Sequence, residues 1–151
     1  MWKIRQENDA EALRAVFEYW QREQLGTERF GFDVQVDSVI AELQTLIDVV
    51  GAVVFVLEDR KGIAGLLAVF VTDSPYGDQK TAFEKYWFVR PKARRHGLRL
   101  LKHAKQWAVG NGCSHFVMTA SNMASDMHDK TCRVYERLGF KLFETSYIKE
   151  L

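Results

Sequence analysis

The chain has 151 residues, 47% of them hydrophobic and 27% charged, with a formal net charge of +1, a size that buries one sizeable core and predicts a single domain over 1–151. No stretch approaches the roughly 20 apolar residues that span a bilayer, and the N-terminus "MWKIRQENDA" is charged where a secretory leader is apolar, so a soluble, cytoplasmic protein with no membrane partner is expected. The two cysteines, Cys113 and Cys132, form no CxxC and have no histidines at zinc-ligand spacing, so they read as free thiols and no metal is expected.

"WKIR" reads as a short strand. Asn8 with Glu11 three residues on has the form of a capping box, and Leu13, Val16, Phe17 and Trp20 follow at helical spacing until Gly26, which suits a helix end. A second helix is expected from Asp37 or Ser38, burying Ile40, Leu43, Leu46 and Ile47. Then the texture changes. "AVVFVLEDRKGIAGLLAVFVT" sets two β-rich runs about the turn "EDRKG", a hairpin, and after the loop "DSPYGD" the segment "TAFEKYWFV" adds a third strand to make an antiparallel meander.

Leu100, Leu101, Ala104, Trp107 and Ala108 share one helical face, with Arg99, Lys102 and Gln106 on the other, and "GNGC" closes that helix. "SHFVMTA" reads as a strand, "HDKTCRVYERLGF" as a helix ending at Gly139, and "FKLFETSYI" as one or two closing strands. The order describes an α+β domain: a mixed, mostly antiparallel sheet of six to seven strands flanked by about four helices.

The small net charge hides a division. Residues 1–73 carry seven Lys/Arg against thirteen Asp/Glu, and residues 74–151 carry fourteen against seven. Between Glu84 and Asp126 there is no acid but there are eight bases, Lys85, Arg90, Lys92, Arg94, Arg95, Arg99, Lys102 and Lys105. Such a block suggests an anionic ligand or a solvated charged face. Within it "VRPKARRHGLRLL" leads from a strand through a basic turn into a helix. Backbone N–H groups at such a turn lack intrahelical partners, the positive end of the helix dipole points the same way, and a diphosphate suits both. A glycine permits close approach, and arginines add charge-assisted hydrogen bonds.

In element order, in length and in two motifs, this strand–turn–helix and "YERLGF" at 135–140, the chain resembles the GNAT superfamily of N-acetyltransferases over almost its whole length. A looser similarity joins "YWFVRP" and "RLLKHAKQWA" to small members encoded by bacteriophages. The resemblance implies the GNAT fold and transfer of the acetyl group of acetyl-coenzyme A directly to a primary amine, small molecule or protein. The pyrophosphate would lie on Arg94, Arg95, His96, Gly97, Leu98 and Arg99. The match to the family's glycine loop is imperfect. Read from Arg94, the pattern meets Gly97 and then Arg99 where a second small residue is usual. Read with Gly97 as the second small residue, Arg95 takes the first place and Lys92 the Arg/Gln place. The Arg94 register is preferred because "VRP" aligns with it.

The resemblance further implies that the backbone of Phe88 and Val89 holds the pantetheine arm, that Tyr135 is the general acid for the departing thiolate, and that His128 occupies a cofactor-contacting position where the family often has asparagine. Glu84 is the nearest candidate base, placed by strand alternation on one face with Tyr86 and Phe88. An ordinary strand carboxylate, a core tyrosine and a helix-start histidine without a task are the plain alternatives. A different class of reading is a non-catalytic GNAT-shaped protein that holds acyl-coenzyme A, or nucleic acid, on the basic block; nucleic acid is the less favoured ligand. Monomer and homodimer both remain open.

Overall fold

A computed structural model describes residues 1–23, 30–121 and 127–151. The meander is present. β2 (Ala52–Asp59) and β3 (Gly62–Asp73) form the hairpin, whose turn is closed by the Asp59 carboxylate accepting from the Lys61 N–H at 2.8 Å and by Gly62 at φ 116°, a conformation that side-chain-bearing residues avoid. β4 (Lys80–Val89) pairs antiparallel with β3, and β1 (Lys3–Gln6) adds to the outer side of β2. β5 (His115–Val117) pairs parallel with β4, so the sheet is mixed, in the order β1-β2-β3-β4-β5.

Strand alternation makes two cores, one on each face. Val54, Val56, Leu66 and Ala68 pack against Leu13, Phe17, Ile40 and Leu43 of the first helices. Val53, Leu57, Leu67 and Val69 pack instead against Leu100, Leu101 and Ala104. The helices are α1 (Arg14–Glu23) and α2 (Val36–Thr45) on the first face and α3 (Gly97–Gly110) on the second. Each fully buried side chain of this kind contributes roughly 1.5–3 kcal/mol. Among the described residues no helix is long and apolar enough to cross a membrane.

Local boundaries differ from the expected ones for identifiable reasons. The first cap is Asp9 and not Asn8: Asp9 Oδ1 accepts from the Glu11 N–H at 3.0 Å, and the Glu11 carboxylate is drawn to Arg14 instead of reaching back. A 3-10 turn, Ala10–Leu13, precedes α1. Gly26 lies outside the described residues. α2 starts at Val36, ahead of Asp37, because Val36 is a core residue, and Leu46 and Ile47 fall in a π-helical last turn, Leu46–Val50.

Among the described residues the sheet has five strands, not six to seven. The expected strand "SHFVMTA" is only three residues long, and "FKLFETSYI" forms no strand. Its apolar residues come in adjacent pairs, Leu142 with Phe143 and Tyr147 with Ile148, so no single face collects them as a paired strand requires, and all four are exposed. The segment follows α4 (His128–Arg137), which ends as expected at Gly139, φ 89°, with the Phe140 N–H returning to the Tyr135 carbonyl at 3.0 Å.

Candidate active site

The site begins where β4 and β5 part. Their pairing covers only Thr81, Ala82 and Phe83 against His115, Phe116 and Val117, whereas β4 runs on along β3 to Val89. Among the described residues, the backbone groups of 84–89 that face away from β3 therefore have no strand to bond. They can accept an extended guest with its own amides, as an open strand edge does.

A β-bulge at Lys85 decides which side chains reach this opening. The register steps from Ala68↔Tyr86 to Val69↔Glu84, leaving Lys85 without an opposite residue. Lys85 Nζ and Tyr86 Oη then both point to α2, donating to the Glu42 carboxylate at 2.8 and 3.1 Å. Glu84 shares the other face with Trp87 and Val89. The expectation that Glu84, Tyr86 and Phe88 share one face is thus corrected: simple alternation holds for an unbroken strand, and the extra residue reverses it.

Glu84 and Tyr135 meet through one residue. The Thr119 N–H donates to the Glu84 carboxylate at 3.2 Å, and the Tyr135 hydroxyl donates to the Thr119 carbonyl at 2.8 Å. Tyr135 is 7% exposed, its ring stacked on Trp87 with centroids 6.0 Å apart and packed against Phe140 at 5.5 Å. Burial pushes the Glu84 carboxyl up to about 7, against the opposing pull of the Thr119 hydrogen bonds. Burial, followed by the nearby Glu84 charge, holds the Tyr135 phenol far above its ordinary value. Near neutral pH the pair therefore combines a half-ionised carboxyl with a fully protonated phenol, groups suited to take a proton and to give one. Two buried donors without partners, Trp87 Nε1 and Arg90 Nε, lie at this same open end of β4.

The basic turn is more helical than the sequence suggests. Residues Pro91–His96 form a 3-10 helix that continues directly into α3. Pro91 opens it, Ala93 N–H bonds the Arg90 carbonyl at 2.9 Å, and Gly97 N–H bonds the Arg94 carbonyl, so much of the expected cradle of free N–H groups is consumed internally. Gly97 is the first residue of α3, with ordinary helical angles of −58° and −37°, and a Cβ there would meet Val89 and Trp87 at 3.6 and 3.7 Å, normal contact. The turn conformation does not need a glycine.

The side chains divide accordingly. Arg94 and Arg95 are exposed, and Arg95 Nε donates to His96 Nε2 at 3.1 Å. The Arg99 guanidinium turns toward β1, donating to the Trp2 carbonyl at 3.3 Å from both terminal nitrogens. Leu98 is half exposed at the start of α3. Phe88 packs its ring near Tyr19 on the α1 face, while Val89 points toward α3. His128, first residue of α4, bonds within its own helix, to Asp129 at 3.0 Å and near Cys132 Sγ at 3.9 Å. Glu84, Tyr135, Phe88 and Val89 thus stand around the parting of β4 and β5, and Arg94, Arg95, His96 and Gly97 occupy the adjoining turn. Thr119 and Glu42 had escaped the sequence reading. Thr119 acts through its backbone, which no residue type announces, and Glu42 becomes relevant only through the bulge.

The model of the acetyltransferase (GNAT) family matches residues 10–140. No curated protein matches the chain. Similar solved structures include an acetyltransferase of Trypanosoma brucei (17% identity, TM-score 0.71, all of both chains) and the glucosamine-6-phosphate N-acetyltransferase of Arabidopsis thaliana (15%, 0.70, covering 99% of this chain and 98% of that one). An aminoglycoside N-acetyltransferase in complex with CoA is also similar (16%, 0.72, covering 100% and 95%). At these identities the likeness is one of fold, and bacteriophage origin finds no support in it. With the family model spanning residues 10–140, this chain belongs to the acetyltransferase (GNAT) family.

Proposed function

We propose that the chain transfers the acetyl group of acetyl-coenzyme A directly to a primary amine, with Glu84 as base and Tyr135 as acid. The observation that carries this reading is the Thr119 peptide, which ties both groups to the place where β4 leaves β5. Acetyl-coenzyme A supplies the activated acyl group. The open edge at Phe88 and Val89 offers N–H and C=O groups to an amide-bearing arm, and Arg94 and Arg95 are exposed cations in the turn that leads into α3, suited to a diphosphate there.

An alkylamine with a pKa near ~10 reaches the enzyme protonated and must lose a proton to become a nucleophile. Glu84, poised at about 7, takes it directly or through a water. The Tyr135 hydroxyl, kept protonated by burial, then donates to the leaving thiolate after exchanging its bond to Thr119. His128 stays a candidate cofactor contact at the start of α4. The acceptor is an amine on a small molecule or a protein.

The test offers acetyl-coenzyme A with amine panels and follows both the melting temperature and, by mass spectrometry, the gain of one acetyl group. A cofactor-dependent rise in melting temperature together with an acetylated amine supports the reading. No thermal shift at saturating cofactor removes it.

A further inference from the structure

We propose that the solvent face of α3 is a docking surface for the phosphodiester backbone of a double-stranded nucleic acid. Lys92, Arg94, Arg95, Arg99, Lys102 and Lys105 are all exposed. At 100° per residue Arg99, Lys102 and Lys105 fall on one side of α3, opposite the buried Leu100, Leu101, Ala104 and Ala108, and Lys92, Arg94 and Arg95 continue the stripe along the preceding 3-10 turn. From Arg99 to Lys105 the α3 part of the stripe is about 9 Å long at 1.5 Å per residue, and the three cations of the 3-10 turn extend it, enough to track several phosphates of a duplex.

Among the described residues, three arginine and lysine side chains away from this surface are paired with carboxylates. Arg5 contacts Glu7 and Glu58, Arg14 contacts Glu11 and Asp37, and Lys85 contacts Glu42, each within 4.0 Å. Among the described residues, none of the six cations of the stripe has a carboxylate at that distance. Some of them contact neutral partners instead. Arg99 donates to the Trp2 carbonyl, Lys92 Nζ lies 5.6 Å above the Trp2 ring, and Arg95 donates to His96. These contacts orient the positive charge and leave it uncompensated, a surface that attracts a polyanion and not a single small acid.

The line runs two turns beyond the head of α3, where the proposed cofactor phosphates sit, so Lys102 and Lys105 have a task that the acetyl-transfer reading does not supply. A lipid surface fits less well. The two exposed apolar residues of this face, Leu98 and Val109, are three helical turns apart, and the remaining apolar side of α3 is committed to the core. Along a single helix face without base-reading loops, recognition is of the backbone and independent of sequence.

The experiment is fluorescence polarisation with labelled DNA and RNA duplexes of about 20 base pairs, titrated from low to physiological salt, with anionic vesicles and coenzyme A as parallel arms. Micromolar binding is expected at low salt, falling with roughly the third to fourth power of salt concentration as about four phosphates are neutralised. Preference for one duplex identifies its source and supports the proposal. Lys102→Glu with Lys105→Glu should weaken duplex binding at least tenfold and make the salt slope shallower by about two, with melting temperature and coenzyme A affinity unchanged. Equal duplex binding by this variant, a salt exponent below about one, vesicle binding without duplex binding, or loss of coenzyme A affinity alone would each overturn it. Failure of the wild-type protein to bind coenzyme A, with duplex binding intact, would sink the acetyl-transfer reading and leave this one standing.

Discussion

The two halves of β4 differ in what surrounds them. From 81 to 83 the strand is zipped on both sides, Ala82 is fully buried, and Phe83 stacks on Phe70 at 5.6 Å. From 84 onward β5 is gone, a bulge has turned the side chains over, a carboxyl is desolvated and two buried donors lack partners. The closed half supplies stability. The open half carries unsatisfied backbone, a shifted carboxyl and the Tyr135 contact, and such features persist only when the rest of the fold supports them.

The largest expected effect breaks the open half chemically. Tyr135→Phe keeps the stack on Trp87 but loses the hydroxyl, and kcat should fall about 100-fold or more with cofactor affinity retained; steady-state kinetics beside calorimetric binding would show whether kcat alone moves. Glu84→Gln should cost about 10- to 100-fold and flatten the pH profile. In the wild type kcat/KM should lose about tenfold per pH unit below about 7 and level off above it, because the ionised carboxylate is the active form.

The same substitution carries a stability prediction with a definite sign. The folded-state value of Glu84 is raised, so the folded protein binds that proton more tightly than the unfolded chain. Its contribution is fully present below the unfolded value of about 4.5 and is lost as pH rises through about 7. Glu84→Gln should therefore raise the melting temperature at pH 8 relative to wild type, by at most about 3 kcal/mol in stability, and change little at pH 5.

A smaller effect separates the turn from the strand. Arg94→Ala with Arg95→Ala should raise KM for acetyl-coenzyme A about tenfold with kcat nearly unchanged, since the charges hold the guest and not the reacting atoms. In the closed half, Phe83→Ala should cost about 1–2 kcal/mol of stability, seen as a lower denaturant midpoint, and leave kcat alone. The smallest effect is expected at Gly97. Its angles are helical and a Cβ has room, so Gly97→Ala should be neutral or stabilise by up to about 1 kcal/mol in thermal melts. A large loss of cofactor binding there would restore the glycine-loop picture.

What could be read from the sequence followed from local pattern. The Val/Ile/Leu/Phe runs about "EDRKG" specified the hairpin, and the spacing of Leu100, Leu101, Ala104 and Ala108 specified α3 and its buried side. Tyr135 and Glu84 were read from the sequence as candidate acid and base, and the fold links them through the backbone of Thr119. The facing of Glu84 was misread because one unpaired residue, Lys85, reverses every later side chain, and a bulge has no sequence signature here. The helical turn at Pro91–His96 was missed for a related reason, since basic residues before a glycine fit an open loop as well as a 3-10 helix. The tail after Gly139 looked like strands by composition. Composition does not register that its apolar residues alternate in pairs.

The account rests on the open half of β4 being the place that receives the cofactor, and hydrogen exchange with and without acetyl-coenzyme A measures this residue by residue. Amides of 84–89 and of the turn at 92–97 should gain protection on binding, while 81–83, already paired on both sides, should be unchanged. Protection confined to other elements, or a uniform slowing that spares neither half, would contradict it.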